Sequence, residues 1–290
     1  MLRFEVGDIT VTEICDIRRF EIPVKTLFPL AEPERLAADL DWLSPDFIHG
    51  DLARLVVRSW LLKLNGRNIL IDTCVGDHKE RPNRPEWHRR SGGAWLSELA
   101  RSGVGPQDID IVFCTHLHAD HVGWNTKLSN GRWVPTFPNA RYITSRTEFD
   151  FWQSEVERLD GAVGHGSFTD SVLPIMEERR LDLVQDGWQL GDGLILHSSP
   201  GHTPGHMSLE VSRQGDRAVF SGDAIHSPMQ ILAPEWSSAF CSDPDQARLT
   251  RITLLQRLAE SGELLVPMHF GGIGRCHVIA DGHSFRPDFG

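Results

Sequence analysis

The sequence predicts a mixed α/β protein. Short apolar runs rich in β-branched residues alternate with stretches of helical spacing, and several of those runs end in a histidine or an aspartate. At 290 residues with 40% hydrophobic content, the chain holds one large domain or two small ones around a substantial core.

In chain order, residues 3–17 and 54–75 read as strands, with Leu64-Asn65-Gly66-Arg67 as a hairpin turn. Residues 94–101 have helical spacing, stopped by Gly103 and Gly105. Residues 109–114 (Ile-Asp-Ile-Val-Phe-Cys) read as a buried strand, and 140–143 as another. Residues 184–192 read as a strand and turn, and 193–197, 217–220 and 263–266 as strands. Residues 244–259 form an amphipathic helix with Pro244 at its first position and Asp243 or Ser242 as its cap. The chain divides into two similar halves with irregular insertions near 20–50 and 145–182, and carries no short-period repeat, coiled coil or low-complexity tract.

The run Thr115-His116-Leu117-His118-Ala119-Asp120-His121 carries the most chemistry. A lone histidine usually packs or is solvated, but four candidate ligands within six positions suit a borderline cation that favours nitrogen and carboxylate oxygen. In a loop leaving a strand, His116 and His118 grip one ion while Asp120 and His121 face a second. Further candidates also follow apolar strands: His202 and His206 in Ser199-Pro200-Gly201-His202-Thr203-Pro204-Gly205-His206, Asp223 in Ser221-Gly222-Asp223-Ala224, and His269 in Pro267-Met268-His269-Phe270. Strand ends are where sheet edges converge on one point.

These motifs resemble those of the metallo-β-lactamase-fold hydrolases, in order and context, across almost the whole chain. The resemblance implies an αββα sandwich, two facing mixed sheets with outer helices, as a single domain over 1–290. It implies that His116, His118 and His202 bind one metal and Asp120, His121 and His269 a second, with Asp223 bridging. Asp72, in Asn68-Ile69-Leu70-Ile71-Asp72-Thr73, matches a buried aspartate that braces the metal loop, and His206 falls to a supporting role because the ligand set is complete. The cofactors implied are two divalent ions, zinc by default and manganese, iron or cobalt otherwise.

The metal set narrows the subgroup. Dinuclear β-lactamases place a cysteine where this chain has Asp223, and the iron dioxygenases of this fold lack the full second-site set. The resemblance is therefore nearest to the lactonases and the methyl-parathion-type hydrolases. One departure counts against acyl-homoserine lactones in particular: His226 stands where those lactonases carry a substrate-facing tyrosine, and the only tyrosine here, Tyr142, lies in an apparent strand. The expected reaction is hydrolysis of a lactone or carboxylic ester by a hydroxide shared between ions about 3.5–4 Å apart. Asp120 would also shuttle a proton, and His226 would donate a hydrogen bond or proton to the substrate. The alternatives are an organophosphate triester hydrolase, a glyoxalase II-like thioesterase, a β-lactamase and a non-catalytic metal-binding scaffold.

Insertion 20–50, with Phe28, Trp42 and Phe47, reads as a lid, a dimer arm or a plain surface loop. Insertion 145–182, with Phe149, Phe151, Trp152, Phe168 and Met176 around a glycine-rich 161–166 run, reads as an apolar pocket wall or as core. Trp124, directly after the metal motif, is the best single candidate for a substrate-binding wall. Residues His49, His78, His88, His165, His197, His277 and His283 receive no role. A formal net charge of −11 with no basic block argues against a nucleic-acid groove. Five scattered cysteines fit a reducing compartment, and no apolar stretch is long enough for a signal core or a membrane span. The expectation is a cytoplasmic enzyme for a small molecule, without membrane or nucleic-acid partners, with a homodimer as the assembly considered.

Overall fold

The computed structural model describes residues 1–36, 39–43, 45–159, 163–282 and 284–290. Residues 161 and 162 of the glycine-rich run, and His283, lie outside the described residues. The chain forms two compact units, Met1–Asp16 with Val57–Gln185, and Ile17–Val56 with Asp186–Gly290.

In the first unit a mixed sheet runs in the order Arg3–Val6, Ile9–Pro23, Leu52–Leu64, Arg67–Ile71, Ile111–Phe113, Arg141–Ser145, Leu181–Val184. Arg3–Val6 pairs antiparallel with Ile9–Pro23, and Leu52–Leu64 with Arg67–Ile71, each pair joined by a short turn. Leu64 pairs with Arg67 across Asn65 and Gly66, both at the positive φ that a two-residue hairpin demands. From Arg67–Ile71 onward the pairing is parallel, since helices intervene: Ile71 sits beside Phe113, and Phe113 beside Ile143. The helix Ala94–Arg101 has the sequence-derived bounds and buries Trp95 and Leu99.

The second unit has a five-stranded sheet, Trp188–Gly191, Leu194–Ser198, Met207–Arg213, Asp216–Phe220 and Leu264–Val266. Only the last pairing is parallel, after the helix Pro244–Ser261. Asp243, rather than Ser242, caps that helix by accepting from the Gln246 N–H, and Gly262 ends it in the left-handed region. Ala247, Arg251, Leu255 and Leu258 form its buried stripe.

Three boundaries differ from the sequence reading. The strand begun at Ile9 continues to Pro23, so the insertion starts later than residue 20. The strand Arg67–Ile71 stops before Asp72, because Asp72 and Cys74 both adopt positive φ and turn the chain out of the sheet. The stretch around 184 splits between the two sheets: Leu181–Val184 pairs parallel with Arg141–Ser145, and Trp188–Gly191 pairs with Leu194–Ser198.

Insertion 20–50 is built into the core of the second unit. Phe28 packs near Trp236, and Phe47 contacts Phe270 and stacks on Phe289. Each fully buried aromatic of this kind contributes about 1.5–3 kcal/mol. Insertion 145–182 carries the helix Arg146–Arg158, capped by the Ser145 hydroxyl. Phe149, Trp152 and Phe168 are buried there, with Phe149 against Phe168. Asp170 ties the insertion to the segment after residue 78: Arg81 donates to both of its carboxylate oxygens, and the Lys79 ammonium lies 3.5 Å from it. Burial lowers the Lys79 pKa to about 7 despite that partner. All five cysteines are free, and no helix among the described residues is long and apolar enough to cross a membrane.

The segment after the turn at Asp72 lies against the histidine-rich loop with almost no room. The N–H of Gly123 donates to the Cys74 carbonyl, and that of Trp124 to the Thr73 carbonyl. A Cβ on Gly123 would collide with the Val75 carbonyl, and one on Gly76 would lie 2.7 Å from the Gly123 carbonyl carbon. Gly123→Ala is therefore expected to destabilise the protein by about 1–3 kcal/mol or more. Gly191→Ala, where the added methyl meets nothing within 4 Å, should stay within about 0.5 kcal/mol of the parent. Urea midpoints of the two variants check the contrast.

Candidate metal centre

In the first unit the parallel strand Ile111–Phe113 ends in the loop that carries His116, His118, Asp120 and His121. One buried carboxylate organises it. Asp72 accepts from the Thr115 N–H at 2.8 Å and the Thr115 hydroxyl at 2.9 Å, and its Oδ2 lies 2.8 Å from His121 Nδ1. Burial pushes the Asp72 carboxyl above its ordinary value, opposed by His121 and the Thr115 hydrogen bonds. With a proton on Nδ1 facing Asp72, His121 keeps the lone pair on Nε2, which lies 3.9 Å from Asp120 Oδ2. The His116 Nε2 and His118 Nδ1 atoms are 3.0 Å apart.

A second carboxylate, missed in the sequence reading, clamps the same loop. Glu148 is completely buried, and its Oε1 accepts from the Leu117 N–H at 3.0 Å and from the Trp152 indole at 2.7 Å. The Ser167 hydroxyl donates to the Leu117 carbonyl. Leu117, between the two histidines, is thus held from both ends of its peptide unit. The Trp152 ring meets His118 edge to face at 5.5 Å. The residue type gave no signal: a glutamate in the first turn of a helix reads as a dipole-compensating surface residue. Trp124, expected at a pocket wall, is buried and stacks on Trp95 at 5.9 Å.

In the second unit the strand Asp216–Phe220 ends in the turn that presents Asp223, whose carboxylate gathers three imidazoles. Its Oδ2 lies 3.3 Å from His202 Nε2 and 3.3 Å from His226 Nε2, and its Oδ1 lies 3.1 Å from His269 Nε2. His269 Nδ1 lies 2.8 Å from the Val56 carbonyl, an acceptor only, so the proton is on Nδ1. The Nε2 lone pair of a neutral His269 then faces a carboxylate oxygen at 3.1 Å, an arrangement that a cation between them would satisfy. The chemistry of this donor set, nitrogen and carboxylate lone pairs directed at one another in a buried place, fits a divalent ion.

His206 holds Asp223 from behind. Its Nε2 accepts from the Asp223 N–H at 3.0 Å, which leaves Nδ1 to donate to the Ser199 hydroxyl at 2.8 Å. The loop of His202 is seated on the helix Pro244–Ser261, with the N–H groups of Ser242 and Asp243 donating to the His202 and Gly201 carbonyls. Gly201 has φ +123, and a Cβ there would collide with the Ala247 nitrogen, so the loop admits only glycine. Cys241 Sγ lies 3.7 Å from His202 Nδ1, a support the sequence reading also missed. Arg251, buried on the same helix, donates to the carbonyls of Ala224 and Pro234 and to the Ser237 hydroxyl.

The family model of the metallo-β-lactamase superfamily matches residues 52–269, well over half of the chain. The chain belongs to this superfamily. It has the metallo-β-lactamase fold, two mixed sheets with flanking helices. Among its relatives are an N-acyl homoserine lactonase of Bacillus cereus, 26% identical over 180 residues (57% of this chain and 62% of the relative), and the lactonase AttM of Rhizobium radiobacter, 33% identical over 120 residues (40% and 41%). The chain thus spans about three-fifths or less of the length of these lactonases. Among solved structures, the hydrolase AbOPH superposes with a TM-score of 0.81 at 25% identity, covering 99% of this chain and 96% of that one. The dizinc quorum-quenching lactonase AidC, bound to its product N-hexanoyl-L-homoserine, gives 0.79 at 21% identity, covering 98% and 95%. The kinship with lactonases expected from the motifs is therefore shown at the level of family.

In this member of the superfamily, the Glu148 clamp generates a test. Glu148→Ala strands two buried N–H groups, at about 1–3 kcal/mol each, whereas Glu148→Gln keeps an acceptor and should lose much less. Urea unfolding reads the stability. Hydrogen exchange should show the Leu117 amide opening faster in Glu148→Ala than in Glu148→Gln.

Proposed function

We propose that the protein is a dinuclear metal-dependent hydrolase acting on a lactone or carboxylic ester. The observation that carries this reading is the fixed set of imidazole and carboxylate lone pairs, with tautomers set by Asp72 and the Val56 carbonyl, in a superfamily that includes dizinc lactonases. By the pattern of that superfamily, His116, His118, Asp120 and His121 in the first unit and His202, Asp223 and His269 in the second would supply the donors that hold the two ions. Zinc is the default ion, with manganese, iron or cobalt as substitutes.

When bound, such cations would supply Lewis-acid chemistry, lowering the pKa of a bound water to roughly 7 and neutralising charge on the substrate oxygen. The chain's own groups do the rest. Asp72 and Glu148 keep the histidine loop from shifting, which preserves the alignment of its donors. Asp120, less enclosed than the other carboxylates of the centre, takes and returns the proton as the ester or lactone bond opens. His206 fixes the direction of the Asp223 carboxylate through its peptide N–H. The free thiols fit a reducing, cytoplasmic compartment.

Elemental analysis of the purified protein should approach two equivalents of metal per chain. Full activity at a saturating value of one would refute the dinuclear reading. Chelation should abolish hydrolysis and added metal restore it, whereas a metal-binding scaffold would show no hydrolysis in either state. Asp223→Ala should lose metal and nearly all turnover, and Asp72→Ala should cost about 10–100-fold in affinity or activity. A panel of lactones, aryl and alkyl esters, phosphotriesters and thioesters assigns the substrate class, and preference for phosphotriesters would move the protein to the organophosphate triesterases.

A further inference from the structure

We propose that His226 is itself a metal ligand, joining His202 and Asp223 on one cation through Nε2; the inference rests on the metal-centre reading above. The three donors, His202, Asp223 and His226, lie within 4.8 Å of one another, and all three are buried. Neighbouring donors at about 2.0–2.1 Å from one zinc-like ion, at angles of about 90–110°, stand about 2.9–3.4 Å from one another, in a four- or a five-donor set alike. Both nitrogen-to-oxygen edges of this triangle measure 3.3 Å.

The ring of His226 has no other chemical use in its surroundings. It is 2% exposed, and neither ring nitrogen makes a hydrogen bond among the described residues. Burying imidazole nitrogens without partners is unfavourable, and coordination satisfies Nε2 while Nδ1 retains the proton. An ion pair with Asp223 accounts for the geometry less well. Charge-assisted N–H···O contacts run at about 2.7–2.9 Å, and this contact is longer and lacks hydrogen-bond geometry. The His226 ring lies nearly parallel to that of His269, 10° between planes at 5.8 Å, and 4.9 Å from that of His202.

The backbone places the ring deliberately. Gln230 accepts the His226 N–H through Oε1 at 2.7 Å and donates from Nε2 to the Trp236 carbonyl at 2.7 Å. Arg251 holds the Ala224 carbonyl on the other side. His226 is therefore fixed in the turn that also presents Asp223.

The test uses the full chain, freed of metal by chelation and titrated with cobalt(II), whose visible bands report its ligands. The parent should bind cobalt, and His226→Ala should weaken uptake at the affected step by more than the about 10–100-fold typical of outer supports. Its bands should shift, and free imidazole should restore them. In His226→Cys the cobalt-loaded protein should show a thiolate charge-transfer band in the near ultraviolet. Unchanged affinity and bands in His226→Ala, with a lower kcat at full metal content, would overturn the proposal and make His226 a donor to the substrate. If His226→Ala does not fold, absence of the charge-transfer band in His226→Cys overturns it. Failure of the parent to bind cobalt at all would instead refute the metal centre.

Discussion

The centre depends on buried carboxylates that never need to touch a substrate. Asp72 is the clearest. A strand ends, the next residue takes a left-handed conformation, and its carboxylate is thereby aimed at the adjacent strand end, where it captures a peptide N–H, a hydroxyl and an imidazole. A carboxylate pulled out of water costs several kcal/mol, and only a full complement of donors offsets it. The loop of His116 to His121 is the arrangement that provides those donors. Its ligand geometry follows from satisfying Asp72.

The second unit solves the same problem with a different set of groups. A carbonyl, that of Val56, fixes the His269 tautomer; a histidine, His206, fixes the Asp223 peptide; and a glycine, Gly201, brings the His202 loop onto a helix end. In each unit the candidate ligand is short of freedom because a neighbour has already used its other polar atom. Such preorganisation lowers the entropy lost when metal or substrate arrives.

Much of this was legible in the sequence. The clustered histidines, the strands that end in them, the hairpin at Asn65-Gly66 and the capped helix after Asp243 all follow local rules of spacing and turn chemistry. What stayed hidden depended on long-range pairing. Glu148 lies 31 residues from the amide it holds, and nothing in Arg-Thr-Glu-Phe distinguishes a clamp from a solvated first turn. The stacking of Trp124 on Trp95, 29 residues earlier, likewise leaves no trace in local spacing. The insertion at 20–50 read as surface because its prolines and charges mask the spacing of Phe28 and Phe47, both of which are core. Strand ends were misjudged where single residues, Asp72 and Cys74, took conformations that composition does not reveal.

A single oxygen of Glu148 serves both the histidine loop and the indole of Trp152. The helix that carries these two residues is consequently not an interchangeable module. Grafting a different 145–182 segment from a relative removes an acceptor from the histidine-rich loop unless glutamate and tryptophan travel together at that four-residue spacing. Changes to one face of this helix are thus constrained by the pair, because the oxygen that fixes the Leu117 peptide also fixes the indole lying against His118.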